Sequence, residues 1–381
     1  RTFIKKLNAK LKLRNDGRDV LSAPPSAVPQ SVSNASSDGG APAPSPYTTL
    51  YAGLLESVRT GAIKPLRGRF VKALHKHGGR LRRRQDLPPE AFWTYEELKA
   101  VAEKLGERWY GWLFVALSYR WLSADHPDPD GFHLAIIAEV AALYLKDSML
   151  TFAFEKAGLD RDTVDFALFW DFGSLTQKPR TETEELLFMP GLRASNIWYG
   201  HLMATCWQQT TLPKGFSFAP FRDNKTGEMR TPAQTYEDSG WCFIESIISA
   251  GIKVGVLRLD LGQRTEEAMG KGYGALVEVC AAKQPPPILP GEAARLLREV
   301  KVFTAGSDVD KVIELYRSFF EDVSQSAKEL NFYGLEWGDA EAVQLAAVLP
   351  SFVRLEKLFL SGNKIGEAGM AALAEAIAKE G

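Results

Sequence analysis

Polar and aromatic side chains stand directly after two apolar runs of the sequence. Arg120 and Trp121 follow the first run, and Asp171 and Phe172 follow the second. The two runs are Trp112–Tyr119 and Val164–Trp170. Near-continuous apolar runs are typical of strands that are covered on both faces. Because ligands of parallel α/β sheets bind beyond the carboxyl ends of the strands, we expect these four side chains at the functional edge.

The acidic loop after the first run has the composition of a metal site but not its spacing. It contains Asp125, His126, Asp128 and Asp130, like the front half of a calcium-binding loop. The twelfth position of such a loop requires glutamate, and Ile137 stands there instead. Aspartate and proline also favour turns, so no metal site is predicted.

Acyl-transfer chemistry is not predicted either. Ser174, Ser239 and Ser246 lack a convincing histidine partner in the sequence. His201 lies within Ile197–Thr205, which we predict to be a strand, and it is expected to be a buried core histidine.

The composition is that of an ordinary globular protein. The 381 residues are 45% apolar and 24% charged with a net charge of −1, so the overall charge attracts neither nucleic acid nor an anionic membrane. The three cysteines form no C-x-x-C pair, which argues against a disulfide framework and fits a reducing compartment. No apolar run approaches the ~20 residues that a membrane helix needs. We therefore predict a cytoplasmic protein with no membrane span and without nucleic acid as a partner.

A stretch of one charge sign precedes the apolar runs. Residues 59–84 contain ten arginine and lysine residues and no acidic residue. Such a stretch is typical either of a solvated helix face or of a surface that binds phosphates, anionic lipid or an acidic partner. Both interpretations are open at this stage.

Alternating strand and helix patterns predict an α/β fold with a parallel sheet and crossover helices. Further strands are predicted over Ile197–Thr205 and Val254–Leu259, and helices over Tyr95–Leu105, Phe132–Lys146, Tyr236–Ala250 and Val309–Glu321. The predicted organisation is a disordered tail over residues 1–48, a helical basic segment over 49–108, an α/β domain over 109–283, a linker and helix over 284–326, and two repeats over 327–381.

The end of the chain contains an internal repeat with a period of 28 residues. Leucines at positions 330, 345 and 349 are followed by apolar residues at 358, 373 and 377. The second copy, L-x-x-L-x-L-x-x-N-x-I, resembles the ribonuclease-inhibitor type of leucine-rich repeat, with a strand and a helix per repeat. Asn363 is expected to bond backbone groups along the stack. Two repeats are few, so we expect them either to continue past Gly381 or to pack on the central domain, and to bind protein partners.

Three segments of the α/β region together resemble the TIR domain and its fungal heterokaryon-incompatibility relative. Residues 117–120 (LSYR) are similar to the first TIR strand, and residues 169–177 (FWDFGSLTQ) to the second strand and its loop. Residues 236–245 follow the pattern Y-x-x-S-x-W-C-x-x-E of plant TIR domains, which is the most specific of the three. The resemblance spans residues 109–283 and implies a flavodoxin-like parallel sheet with flanking helices.

The resemblance also implies an activity and a set of site residues. In catalytically active TIR domains, the glutamate of the third segment supports cleavage of the nicotinamide–ribose bond of NAD⁺, and Glu245 is the matching position. A carboxylate can stabilise the oxocarbenium-like charge that develops on ribose. Ser118 is then assigned to ribose, Arg120 to a phosphate, and Asp171 and Trp241 to the same binding site. NAD⁺ is implied as a substrate, and no cofactor is required.

Three functional hypotheses follow. The leading one is a signalling or sensor protein whose TIR-like domain forms homo-oligomers and whose repeats bind protein partners, because TIR domains frequently act as assembly modules. The second is an NAD⁺ glycohydrolase that acts through Glu245. The third is an adaptor that docks on phosphate or lipid through residues 59–84. Compared with a typical TIR domain, the chain has extra length at residues 123–131 (SADHPDPDG) and at Thr211–Thr235. The second of these insertions is expected to cover the cleft.

Overall fold

The computed structural model describes residues 45–222 and 227–378. Most of the predicted disordered tail, residues 1–44, lies outside the described residues. The last four residues of that tail are ordered against the fold: Ser45 and Tyr47 are buried, and the ring of Tyr47 meets Phe319 edge to face with 5.0 Å between ring centroids. The prediction of disorder is therefore wrong for residues 45–48.

The strands of the described residues fall into one main sheet and two small ones. They are β1 Leu66–Arg67, β2 Phe114–Tyr119, β3 Ala167–Phe169, β4 Thr205–Gln209, β5 Phe221–Arg222, β6 Met229–Arg230, β7 Arg258–Asp260, β8 Glu329–Asn331 and β9 Lys357–Phe359. The main sheet has the order β1-β3-β2-β4-β7, in which β1 is antiparallel to β3 and the other neighbours are parallel. The predicted α/β class, with a mostly parallel sheet, is thus confirmed.

Helices flank this sheet. In chain order they are α1 Glu56–Arg59, α2 Gly68–Lys76, α3 Tyr95–Leu105, α4 Tyr110–Leu113, α5 Phe132–Asp147, α6 Met149–Lys156, α7 Asp171–Ser174, α8 Glu182–Gly200, α9 Gly240–Ala250, α10 Glu266–Lys271, α11 Tyr273–Cys280, α12 Pro290–Glu299, α13 Val309–Ser326, α14 Asp339–Val348 and α15 Glu367–Ala378. A π-helical turn, Leu50–Leu55, leads into α1. Among the described residues, no helix is long and apolar enough to cross a lipid bilayer.

Local capping explains where some of these helices begin. Thr94 and Glu97 form a reciprocal capping box, in which the side chain of each accepts the backbone N–H of the other. Helix α3 consequently begins and ends at the predicted residues. A second capping box, from Thr181 and Glu184, starts α8, which the sequence analysis did not predict.

The predicted strand Ile197–Thr205 is wrong. Most of that segment is the end of α8 and the turn after it, and the strand begins only at Thr205. The apolar residues Trp198 and Tyr199 suggested a strand, but they are buried as the inner face of a helix. His201 is buried as expected, although it follows a helix and does not lie in a strand.

Three other strands are shorter than predicted. Of the run Val164–Trp170, only Ala167–Phe169 forms a strand, β3. The run Trp112–Tyr119 contains the end of α4 and then β2, because Trp112 lies on a helical turn. The predicted strand Val254–Leu259 is a 3₁₀ turn over Gly255–Leu257 followed by β7. Short apolar runs do not by themselves distinguish a strand from a buried helical turn.

The basic segment 49–108 is part of the α/β domain and is not a separate helical unit. Strand β1 pairs with β3, with Leu66 opposite Leu168. Leu55 and Val71 belong to the same continuous core as the central strands. The predicted boundary at residue 108 is therefore wrong, because the apolar residues before it are buried on the sheet.

The predicted repeat is visible as two strand–helix units, β8 with α14 and β9 with α15. Strands β8 and β9 are parallel, and their register is offset by the 28 residues of the repeat, as in the pair Leu330 and Leu358. Asn363 donates to the carbonyls of Phe332 and Leu360 and accepts from two backbone N–H groups. These contacts confirm the expectation that Asn363 bonds backbone along the stack.

These two units pack on the rest of the chain. The indole N–H of Trp337 donates to the carbonyl of Gln284 at 2.7 Å. Phe320, on α13, meets Phe352 edge to face with 5.9 Å between ring centroids. Residues of the central sheet and of the repeat units belong to one continuous hydrophobic cluster. The expectation that the repeats pack on the central domain is therefore confirmed.

Candidate functional site

The candidate site lies where β2 ends and α9 crosses it. Ser118, near the end of β2, donates its hydroxyl to Oε2 of Glu245 at 2.5 Å. The thiol of Cys242, one helical turn before Glu245, reaches the carbonyl of Tyr119 at 3.4 Å. Side chains three residues apart share a face of a helix. Because Cys242 faces the sheet, Glu245 on the same helix face is also directed toward the sheet and away from solvent.

Hydroxyl and amide groups surround the Glu245 carboxyl. The hydroxyls of Ser118 and Tyr236 are 2.6 Å apart, and the Tyr199 side chain also hydrogen-bonds to Glu245. Gln208, near the end of β4, donates to Ser246 Oγ at 3.0 Å. The glutamate therefore sits in a polar network supplied by β2, β4, α8 and the segment before α9.

The environment of Glu245 favours its neutral form. Burial of the carboxyl, with a further contribution from the charge of Asp171, raises the pKa of Glu245 to about 8. Hydrogen bonds from Ser118 and Tyr199 favour the charged form and offset only part of this effect. The residue as a whole is half-buried, with its carboxyl directed inward.

A second carboxyl lies at the end of β3. Asp171 accepts the hydroxyl of Tyr119 and the indole N–H of Trp121, both at 2.8 Å. It also accepts the backbone N–H of Phe172 at 2.6 Å. Burial raises the pKa of Asp171 in spite of these donors. As expected, the ends of β2 and β3 meet at one edge of the sheet.

Arg120 supplies a positive charge at the edge of the sheet where β2 and β3 end. Its side chain is only 8% exposed, and it donates to the carbonyls of Trp121 and Ala233. Its Nε has no acceptor among the residues that the structure describes. The ring of Phe218 covers the guanidinium, with 4.3 Å from Cζ to the ring centroid. Burial lowers the pKa of Arg120, and no carboxylate in the described part of the chain pairs with it.

Trp241 is directed away from these residues. Its indole N–H donates to Asp308, just before α13, at 3.3 Å. Of the predicted binding residues, the edge of the sheet thus brings together Ser118, Arg120 and Asp171 but not the polar end of Trp241. Trp241 is partly buried and packs against the hydrophobic core.

The sequence analysis missed Tyr199 and Gln208 as members of the site. The Tyr199 hydroxyl lies between Glu245 and the Leu117 carbonyl, 3.1 Å from the latter, and its one proton is donated to one of them at a time. It lies in the segment that was misassigned as a strand, so its approach to Glu245 from a helix was hidden. Gln208 lies in β4, which begins where the predicted strand ended. Its place at the site could have been predicted only if the start of β4 had been assigned correctly.

The acidic loop after β2 has a structural role. Both carboxylate oxygens of Asp128 accept backbone N–H groups at the start of α5, from His133 at 2.9 Å and Leu134 at 2.8 Å. His126 hydrogen-bonds to the Leu81 carbonyl at 2.9 Å. Among the described residues, no cluster of histidine, cysteine or acidic side chains could hold a metal ion.

The basic stretch divides into two groups. Some of its members are tied within the fold: Arg67 pairs with Glu97, Arg83 pairs with Asp86, and Arg84 is buried against backbone carbonyls. Other members are exposed and form no ion pair in the described part of the chain: Lys72, Lys76, Arg80 and Arg82. We call this second group the basic surface.

Comparisons of the chain with protein-family models, with curated proteins and with solved structures found no match.

Proposed function

We propose that this protein is an NAD⁺ glycohydrolase, a hydrolase of the nicotinamide–ribose bond that acts through Glu245. The observation that carries the proposal is the 2.5 Å hydrogen bond from Ser118 to Glu245 at the carboxyl edge of the parallel sheet. Asp171 and Arg120 follow the ends of adjacent strands at the same edge. This is the region where open α/β sheets bind their ligands.

The topology supports the TIR-type assignment on which the proposal draws. The four parallel strands stand in the order second, first, third and fourth along the chain. That order is the beginning of the flavodoxin-like arrangement 2-1-3-4-5. The 28-residue offset between β8 and β9 likewise supports assignment of the last units as leucine-rich repeats.

The proposed chemistry uses groups of this chain only. The bond between ribose C1′ and the nicotinamide nitrogen breaks, and its electron pair moves to the cationic nicotinamide ring. The ionised Glu245 stabilises the positive charge that grows on ribose, as carboxylates do in glycoside hydrolysis. Water attacks C1′, and its proton passes to Glu245 and then to solvent. The products are nicotinamide, ADP-ribose and one proton.

The proposal is tested by incubating the purified chain with NAD⁺ and separating the products by chromatography. We expect equimolar nicotinamide and ADP-ribose. Because the substrate is cationic and the carboxyl must be ionised, the assay should include pH values near 8. Absence of both products at every pH and protein concentration would refute an NAD⁺ glycohydrolase. The self-association, protein-binding and signalling hypotheses stay predictions.

The basic surface favours a second candidate function, docking on an anionic lipid membrane. Its four cations project from α2 and the following loop without an acidic partner among the described residues. Each cation near an anionic bilayer contributes about 1 kcal/mol, so four could give measurable adsorption. Arg84, which also belongs to the stretch, is buried and cannot take part.

Sedimentation with vesicles that contain phosphatidylserine tests this candidate. We expect binding that weakens with salt and is lost when all four cations of the basic surface are changed to glutamate. Arg59→Glu is the matched control, because Arg59 already pairs with Glu56. Equal binding by the fourfold variant and the native chain would contradict the candidate, whereas equal binding to neutral vesicles would exclude charge as its cause.

A further inference from the structure

The segment between β4 and α9 lies across the cation of the site. It comprises residues 211–222 and 227–235 of the described chain, and we call it the strap. Most of its residues are exposed. Connections of this length without substantial secondary structure are uncommon and are usually functional.

The strap contacts Arg120 at two points. The ring of Phe218 lies over the guanidinium, and the carbonyl of Ala233 accepts from Nη2 at 3.3 Å. Hydrogen bonds join the part of the strap before β5 to the part after β6. Phe218 N–H donates to Gln234 Oε1 at 3.1 Å, and Gln234 Nε2 donates to the Phe218 carbonyl. The strap is thus held where it covers Arg120.

The partners of Arg120 leave it incompletely satisfied. A buried guanidinium normally has a carboxylate or phosphate partner, because burying a charge without one is costly. Here the acceptors are two neutral carbonyls and an aromatic face, and Nε has none among the described residues. A phosphate would offer two oxygens to the planar donor edge, which an aromatic ring cannot do. Arg120 therefore keeps donor capacity that an anion could use.

We propose that the strap is an autoinhibitory cover, in which Phe218 must leave Arg120 before the pyrophosphate of a dinucleotide can bind there. This inference rests on the proposed function, since that function assigns Arg120 to a substrate phosphate. The resting protein then holds its own anion site closed. A stacked cation–aromatic contact of this kind corresponds to about a 3–30-fold penalty on anion binding.

Inorganic pyrophosphate is the probe, because its binding does not require hydrolysis. We expect Phe218→Ala to bind pyrophosphate about 3–30-fold more tightly than the native chain in calorimetric titrations. Phe216→Ala is the matched control: Phe216 lies in the same strap and contacts Phe218 edge to face, but it is exposed. The double variant Phe218→Ala with Arg120→Gln should lose the gain.

Hydrogen exchange on the native chain gives a second measurement that needs no variant. Saturating pyrophosphate should speed exchange of the Phe218 N–H, because displacement of the strap breaks its bond to Gln234. The proposal is overturned if neither the native chain nor Phe218→Ala binds pyrophosphate, if the two substitutions in the strap have equal effects, or if Phe218 exchange is unchanged on binding. Tighter binding by Phe218→Ala without any NAD⁺ cleavage would uphold the strap and refute only the glycohydrolase.

Discussion

At the scale of single residues, the site combines two carboxyls that are held differently. Asp171 is fixed by three donors, whereas Glu245 is surrounded by hydroxyls that can themselves donate or accept. Hydroxyl partners can reorient when the carboxyl changes its protonation state. This makes Glu245, and not Asp171, the group suited to gain and lose a proton.

The raised pKa of Glu245 predicts a pH-dependent effect on stability. The unfolded carboxyl loses its proton near the ordinary value of 4.5, whereas the folded one keeps it up to about pH 8. Ionisation therefore favours the unfolded chain, and the stability contributed by this group is lost as pH rises from 5 to 8. Glu245→Gln should gain about 1–3 kcal/mol relative to the native chain over that interval.

Urea unfolding of both proteins at pH 5 and pH 8 provides the measurement. Groups common to both chains cancel in the difference, so the comparison isolates Glu245. Glu237→Gln, at an exposed carboxyl shortly before α9, should show no such gain. Parallel pH dependences for the native chain and Glu245→Gln would show that the folded carboxyl titrates normally.

Sequence reasoning predicted part of this site for a clear physical reason. Ser118, Arg120 and Asp171 follow buried strands, and parallel strands end at the same edge, so their proximity follows from the alternating pattern. The position of Glu245 on the inner face could not be read from its helix alone, because a helical glutamate more often faces solvent. Tyr199 and Phe218 reach the site through a helix and a strap whose paths no local pattern specifies.

At the scale of elements, strong local signals were the most predictive. The capping box set the start of α3, and the 28-residue period gave the register of β8 and β9. Short apolar runs were the least predictive, because the same residues can be buried in a strand or in a helical turn. The misassigned end of α8 arose in this way.

Asn363 links the two strand–helix units, and its substitution tests how much that link stabilises them. Its side chain makes four hydrogen bonds to the backbone across the two repeat units. Asn363→Ala should reduce the free energy of unfolding by about 2–4 kcal/mol, because it leaves those backbone groups without partners. Exchange at the Leu335 and Trp337 N–H groups should accelerate.

Asn331→Ala is the control for that substitution, because the Asn331 side chain accepts the nearby Tyr333 N–H, a bond within its own repeat unit. Its cost should stay below about 1 kcal/mol. Similar losses of stability in the two variants would mean that Asn363 does not hold the units together.

At the scale of the whole molecule, the site depends on segments that are far apart in the chain. Ser118 and Glu245 are separated by 127 positions and meet because β2, β4 and α9 share one continuous core. The basic segment, the sheet and the repeat units contribute to that core together. The long-range packing therefore positions the carboxyl, while the strap controls access to the neighbouring cation.

The most direct test of the account is nicotinamide release from NAD⁺ at pH 8 by the native chain, Glu245→Gln and Glu237→Gln. The raised pKa of Glu245, about 8, makes this the pH range in which its carboxyl ionises. We predict that Glu245→Gln lowers kcat about 10²–10⁴-fold, while Glu237→Gln leaves it unchanged. Release by a folded Glu245→Gln variant at the native rate would contradict the central claim that this carboxyl performs the chemistry.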